Sequence, residues 1–227
     1  MREDIRFEDM DLSDIVTLLS SIADIVTSGN SNGKKLILVG GNTPFLNAIR
    51  RKATKLGIQC IDQMGIEVDS KTPVVFDTEV ESPQFLFPRE ADVDEIVHNG
   101  TSCCAQAIFD LFENAKKFNG ENVTIIGRGH AVQGLAGSLN SFLDCTVTVC
   151  HSKTRSLYDS TLFAKAIVVA APVKPEDVAP LAGKYVIDLT GAFKGVVDAE
   201  HYVGNIGKLT TSLLLKRVVE SGWNDEN

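Results

Sequence analysis

The feature that most constrains this fold is a set of short apolar runs at regular spacing in the second half of the chain. They are Val123 to Ile126, Cys145 to Val149, Ala166 to Ala170 and Tyr185 to Leu189. Each is strand-length, rich in Val and Ile, and separated from the next by a helical pattern or a turn. Runs that are apolar on both faces belong to strands covered on both sides, which means a parallel sheet of the α/β class. A helix over Ala131 to Phe142 is expected to follow the first run.

The first half reads as a second, smaller α/β unit. Apolar residues at Ile15, Leu18, Leu19, Ile22, Ile25 and Val26 repeat with a helical period from Asp11 to Ser28, with Asp11 or Ser13 as N-cap. Lys34 to Gly41 reads as a buried strand ending in glycines. Thr43 and Pro44 then supply an N-cap and a first-turn proline for a helix running to Leu56. Between Gln59 and Val93, strands are expected around Cys60, at Pro73 to Phe76 and at Phe85 to Phe87, interrupted by prolines. Helices over Ala105 to Phe118 and Leu209 to Glu220 complete the pattern. The expected organisation is an N-terminal α/β domain over 1–100 and a Rossmann-type dinucleotide-binding domain over 101–227, with the last helix packing back on the first domain and the active cleft between them.

Composition limits the partners. The 227 residues carry a formal net charge of −8, which repels phosphate backbones and anionic membrane surfaces, so nucleic acid and membrane are not expected. No uninterrupted apolar run reaches the roughly 18 residues of a membrane span, and the acidic start lacks the layout of a secretory signal. A cytoplasmic location is expected. The five cysteines have no paired CxxC spacing, so reduced thiols are expected, without a disulfide framework or zinc site.

The chemistry concentrates in VTIIGRGHAVQG, Val123 to Gly134. Gly127 and Gly129 follow a strand and precede a helix, the context in which missing Cβ atoms let a backbone approach a pyrophosphate at a helix start. The spacing departs from GxGxxG, and a tight βα turn without a ligand has equal claim on the motif alone. The next strand ends in CHSKT, Cys150 to Thr154, about two dozen residues after Gly127. An acid there would hold the ribose 2'-hydroxyl of NAD. Hydroxyl and basic groups instead suit the 2'-phosphate of NADP, with Arg128, Ser152 and Lys153 as contacts.

The string CTVTVCHSKT after a GR turn, followed by KAIVVAAP (Lys165 to Pro172) and YVIDLTGA (Tyr185 to Ala192), resembles the methylenetetrahydrofolate dehydrogenase/cyclohydrolase family. The resemblance runs from about Ser102 to Glu220. It implies a cofactor site of Gly127, Arg128, Gly129, His151, Ser152, Thr190 and Gly191 holding NADP, with Gly129 in place of the family's serine. For His151, hydrogen bonding at the strand end is the plainer role.

The substrate half departs from the family pattern. Leu38 to Ile58 resembles a shorter form of the segment whose tyrosine and lysine act on the folate. Phe45 falls at the tyrosine and Ile49 at the lysine, leaving Arg50, Arg51 or Lys52 as substitutes. ADVDE puts Asp94 at the family's folate-contacting aspartate, though a surface acid before a helix reads equally well. Lys52 and Asp94 are therefore the catalytic candidates.

Ser102, Cys103 and Cys104 replace a PCTP segment, and both cysteines are expected in the core. GNIGKLTT, Gly204 to Thr211, replaces a longer substrate-side loop. The resemblance implies an NADP-dependent methylenetetrahydrofolate dehydrogenase of one-carbon folate metabolism with doubtful cyclohydrolase activity. It takes a folate-type substrate, and a homodimer is left open. The alternatives are a non-catalytic dinucleotide-binding or regulatory protein, and an oxidoreductase acting on another small substrate.

Overall fold

The computed structural model describes residues 10–31, 33–39, 43–62, 72–76, 92–94, 100–195, 199, 201–204 and 206–221. The strand-end glycines Gly40 and Gly41 and the segment Phe85 to Phe87 lie outside them. The chain falls into two compact units.

The first unit contains residues 10–18 and 104–208. Its sheet has five strands: β4 (Asn122–Ile126), β5 (Thr146–Cys150), β6 (Ala166–Val169), β7 (Tyr185–Asp188) and β8 (His201–Val203), in the order β5-β4-β6-β7-β8. Every pairing is parallel. The chain leaves β4 for β5 on one side and then crosses to β6 on the other. The order therefore reverses at β4, and ligands of open α/β sheets bind at the strand carboxyl ends beside such a reversal. The runs in β4, β6 and β7 are buried as expected, β6 and β7 along their whole length, whereas β5, at the sheet edge, is largely exposed with only Cys150 of the strand buried. β8 escaped the sequence reading, because three residues led by a histidine carry no alternation or apolar run.

One helix differs from expectation. Instead of continuous helix from Ala131, a single 3₁₀ turn spans His130–Val132 and α4 starts at Leu135 (Leu135–Leu143). Gly134 causes the break: at φ 81° and ψ −17° it is left-handed, a conformation that glycine adopts without a Cβ penalty. α4 then buries Leu135, Leu139 and Leu143, spaced four apart along one face. Behind β6 and β7, Ile126, Ile167, Val169, Val186 and Phe193 form a continuous core.

The second unit contains the described residues of 19–103 and 209–221. Its three parallel strands, β1 (Lys35–Val39), β2 (Gln59–Asp62) and β3 (Val74–Phe76), are ordered β2-β1-β3. Helix α2 (Pro44–Lys55) starts as its sequence dictates: Thr43 Oγ1 accepts from Leu46 N–H at 3.2 Å and Pro44 fills the first turn. Leu46, Ile49 and Ala53 line its buried face and pack with Leu36, Leu38 and Val75.

Two segments lie across the expected division at residue 100. α6 (Gly207–Glu220) places Leu214, Leu215, Val218 and Val219 in the core of the second unit. Conversely, the start of α1 (Leu12–Asn30) belongs to the first. Leu12 and Ile15 are buried there, and the Asp11 carboxylate lies 3.4 Å from His201 Nδ1 on β8. Asp11 is the cap, accepting from Ser13 N–H at 2.8 Å and Ser13 Oγ at 2.7 Å; these bonds hold its pKa below the ordinary carboxylate value. By length and composition α1 could cross a membrane, although Leu12, Ile15, Val16 and Ala23 are buried within the protein.

Candidate functional site

The carboxyl ends of β4 to β7 bring together the residues singled out for the cofactor. Ile126 pairs with Cys150, Ile126 with Val169, and Val169 with Asp188. Gly127 to Gly129, His151 to Ser152 and Thr190 to Gly191 therefore emerge from the ends of β4, β5 and β7 of one sheet, whose neighbouring strands are about 4.8 Å apart.

The two turn glycines serve different purposes. Gly127 has φ +118°, and a Cβ there would lie 2.9 Å from Ala170 C and 3.0 Å from Ala170 O. It is glycine because β6's exit passes against it, and its N–H donates to Cys150 O at 2.8 Å. Gly129 has the ordinary angles φ −73° and ψ 175°, and a Cβ would meet nothing within 4 Å. The expectation that a backbone-facing space is kept clear thus applies to Gly129 only with respect to a ligand, because the protein leaves that space open. Among the described residues, neither Arg128 N–H nor Gly129 N–H donates a hydrogen bond. Two adjacent free donors above an open space suit a phosphate.

At the end of β5, Ser152, Lys153 and Arg155 are exposed, as is Arg128 beside them. His151 is occupied locally. Its Nδ1 accepts from Lys153 N–H at 3.1 Å, and its N–H donates to Thr154 Oγ1 at 2.8 Å. It shapes the turn that presents Ser152, which is the strand-end role anticipated for it.

Beyond β6 and β7 lies an open depression of about 490 Å³ lined by Pro172, Val173, Lys174, Asp177, Thr190 and Ala192. Its Thr190 side is organised by Asp188, which the sequence reading missed. The Asp188 carboxylate is buried and accepts five bonds: Thr190 N–H (2.9 Å), Thr190 Oγ (2.8 Å), Gly191 N–H (2.9 Å), Phe193 N–H (2.9 Å) and Tyr202 O–H (3.1 Å). Burial pushes its pKa up, but the Phe193, Thr190 and Tyr202 donors outweigh this and hold it below the usual carboxylate value. The sequence signal was an acid at the end of an apolar strand, followed by Leu-Thr-Gly.

In the second unit, Ile49 is fully buried and Phe45 packs against the same core, so the positions of the family's lysine and tyrosine are structural here. Arg50 pairs with Asp62, and Arg51 bonds to Asn47 O at 3.3 Å. Lys52 Nζ lies 2.8 Å from Asp24 Oδ1 and donates to Ser212 Oγ, joining α1, α2 and α6. Asp94 is buried and accepts from Cys103 N–H at 2.7 Å, serving the first turn of α3 (Cys103–Ala115). Both catalytic candidates thus have local partners. Cys103 is buried as expected, whereas Cys104 is only half-buried; all five cysteines are free thiols. No His, Cys, Asp or Glu group suited to a metal occurs among the described residues.

A parallel sheet reversing at β4, a glycine turn with free N–H groups and basic residues at the neighbouring strand end define a Rossmann-type nucleotide-binding domain. Residues 102–190 match the NAD(P)-binding domain of tetrahydrofolate dehydrogenase/cyclohydrolase. Over that segment the chain is similar to the methylenetetrahydrofolate dehydrogenase/cyclohydrolase family. It is 33% identical over 136 residues to the bifunctional protein FolD of Thermosipho africanus, a match spanning 52% of this chain and about half (50%) of that relative's length. A weaker likeness to FolD of Nocardia farcinica, 24% over 258 aligned positions, spans 88% of this chain and 90% of the relative. The fold is shared with the crystal structure of Trypanosoma brucei methylenetetrahydrofolate dehydrogenase-cyclohydrolase complexed with NADP cofactor and inhibitor. The TM-score is 0.69 at 17% identity, covering 93% of this chain and 96% of that one.

Proposed function

We propose that this protein is an NADP-dependent methylenetetrahydrofolate dehydrogenase with weak or absent cyclohydrolase activity. The observation that carries the reading is the NAD(P)-binding family match over 102–190, laid on a turn whose Gly129 faces open space. Arg128 and Gly129 N–H groups would hold the pyrophosphate. Arg128 and Ser152 would hold the 2'-phosphate, where no carboxylate follows β5 to favour NAD. Thr190 and Gly191 would border the nicotinamide end. The bound dinucleotide supplies hydride acceptance from the methylene bridge of the folate, and the protein supplies binding and orientation.

The cyclohydrolase half-reaction needs a positioned proton-transfer group, and the family's lysine position is Ile49, sealed in a core. Lys52 is the nearest lysine on α2, and its amine is engaged by Asp24 and Ser212. The same burial of Phe45 and Ile49 favours, as the second reading, a dinucleotide-binding protein without folate turnover. We place the protein in the cytoplasm. We also infer a homodimer: β5 is an uncharged strand at the edge of its sheet that carries exposed Val149 and follows exposed Phe142, a surface that a second copy could cover.

Calorimetric titration with NADP and NAD tests the cofactor assignment. NADP is expected to bind at least about ten-fold more tightly. Arg128→Ala should remove most of that preference, since a charge-assisted bond is worth about 1.5–3 kcal/mol. Equal affinities would refute it.

A further inference from the structure

We propose that Tyr202 is a positioning residue for the half of the dinucleotide remote from the 2'-phosphate, acting through Asp188 on the Thr190–Phe193 loop; this rests on the cofactor reading above. Tyr202 is on β8, two strand positions from β6, and among the described residues its hydroxyl bonds to neither the glycine turn nor the end of β5. Its hydroxyl donates to Asp188 Oδ2 at 3.1 Å. That same oxygen accepts from Phe193 N–H at 2.9 Å, while Oδ1 gathers Thr190 and Gly191. One carboxylate thus fixes both ends of a four-residue loop, and Tyr202 supplies the only side-chain hydroxyl reaching it from outside that loop among the described residues.

The position of the phenol is itself arranged. A Cβ on Gly204 would lie 2.6 Å from Tyr202 Oη, 2.8 Å from Cε1 and 2.9 Å from Cζ. The tyrosine ring occupies the space that any other residue at 204 would need, so glycine at 204 lets the ring lie where its hydroxyl meets Asp188. Gly204 has no left-handed φ, and the obstructing atoms are the outer end of a side chain. An alanine there would displace the phenol and leave the backbone alone.

The sheet order determines which end of the ligand is affected. The basic residues after β5 and the Thr190 loop after β7 are three strands apart, about 14 Å along the sheet edge. A dinucleotide whose 2'-phosphate sits over β5 reaches the β7 loop with its opposite half. Thr190 and Ala192 line the open depression there. Loosening the loop should weaken contacts with that half and leave the adenosine end untouched.

The experiment titrates wild type, Tyr202→Phe and Gly204→Ala with NADP and with adenosine 2',5'-bisphosphate, which carries only the adenosine end. Unfolding curves of the same samples check the fold. Both variants should bind NADP about five-fold more weakly, the equilibrium worth of one hydrogen bond, while bisphosphate affinity stays constant. Unchanged NADP affinity in folded Tyr202→Phe, or parallel weakening of both ligands, overturns this assignment and leaves the cofactor reading standing. If wild type binds neither ligand, both fall together.

Discussion

Replacing Gly129 by valine separates a ligand-binding turn from a merely structural one, provided Gly127→Val is made beside it. At Gly127 a valine must adopt φ +118° and place its Cβ 2.9 Å from the Ala170 backbone. The left-handed penalty of about 1–2 kcal/mol and an overpacking cost of about 1–3 kcal/mol add to about 2–5 kcal/mol of lost stability. For a protein of this size that is a fall in Tm of about 4–20 °C.

At Gly129 the angles are ordinary and a Cβ meets no protein atom within 4 Å. Stability should change by less than about 0.5 kcal/mol, as for a surface substitution. Two valine methyl groups would nevertheless occupy the space above the free Arg128 and Gly129 N–H groups. NADP affinity should fall at least about 100-fold, equivalent to about 2.7 kcal/mol. The assay is calorimetric NADP titration paired with thermal unfolding. Folded Gly129→Val that binds NADP like wild type would refute the turn as a phosphate site.

Other consequences can be measured directly. Lys52→Ala should cost about 1–3 kcal/mol in urea unfolding without changing NADP affinity, because the amine no longer reaches Asp24 and Ser212; a loss of methenyl-folate hydrolysis with unchanged stability would instead give Lys52 a chemical role. Lys184→Met should destabilise by about 2–4 kcal/mol. The Lys184 amine donates to the carbonyls of Thr161 (3.0 Å), Leu162 (2.8 Å) and Ala164 (2.9 Å) at the end of α5 (Leu157–Leu162), and the variant leaves them unpaired. Asp188 has a folded pKa below its unfolded value, so its stabilising contribution is complete above the ordinary carboxylate range and disappears as pH falls through the lowered value. Asp188→Asn should flatten that acid limb of the stability–pH curve; an identical limb in the variant would contradict the assignment.

The strands β4, β6 and β7 were legible because burial on both faces leaves a run of Val and Ile, whereas β5, largely exposed at the sheet edge, was legible only from its β-branched residues. Helix starts were legible where a cap side chain marks them, as at Thr43 and Asp11. The last helix was expected to pack back on the N-terminal domain, and Leu214, Leu215, Val218 and Val219 of α6 lie in the core of the second unit. The start of α1 was harder to read: Leu12 and Ile15 belong to the first unit, and their sequence marks them as apolar without naming a partner.

In the site, the family resemblance carried Gly127, Arg128, Ser152 and Thr190 to one sheet edge. It could not distinguish Gly127, required by Ala170, from Gly129, free of the protein, because that distinction depends on a strand some forty residues later. Asp188 and Tyr202 escaped for a similar reason: a hydrogen-bond hub is a property of returning chain. Gly204 read as the start of a shortened loop until the tyrosine ring beside it gave its missing Cβ a purpose.

Turnover is the most direct test of the central claim. Purified protein mixed with methylenetetrahydrofolate and NADP is followed for NADPH by absorbance, with NAD in a parallel reaction. NADPH should form in a reaction that depends on both substrates, is slower with NAD and is lost in Gly129→Val. Tight NADP binding without any NADPH formation at high enzyme concentration would contradict it and leave a dinucleotide-binding protein that does not oxidise the folate.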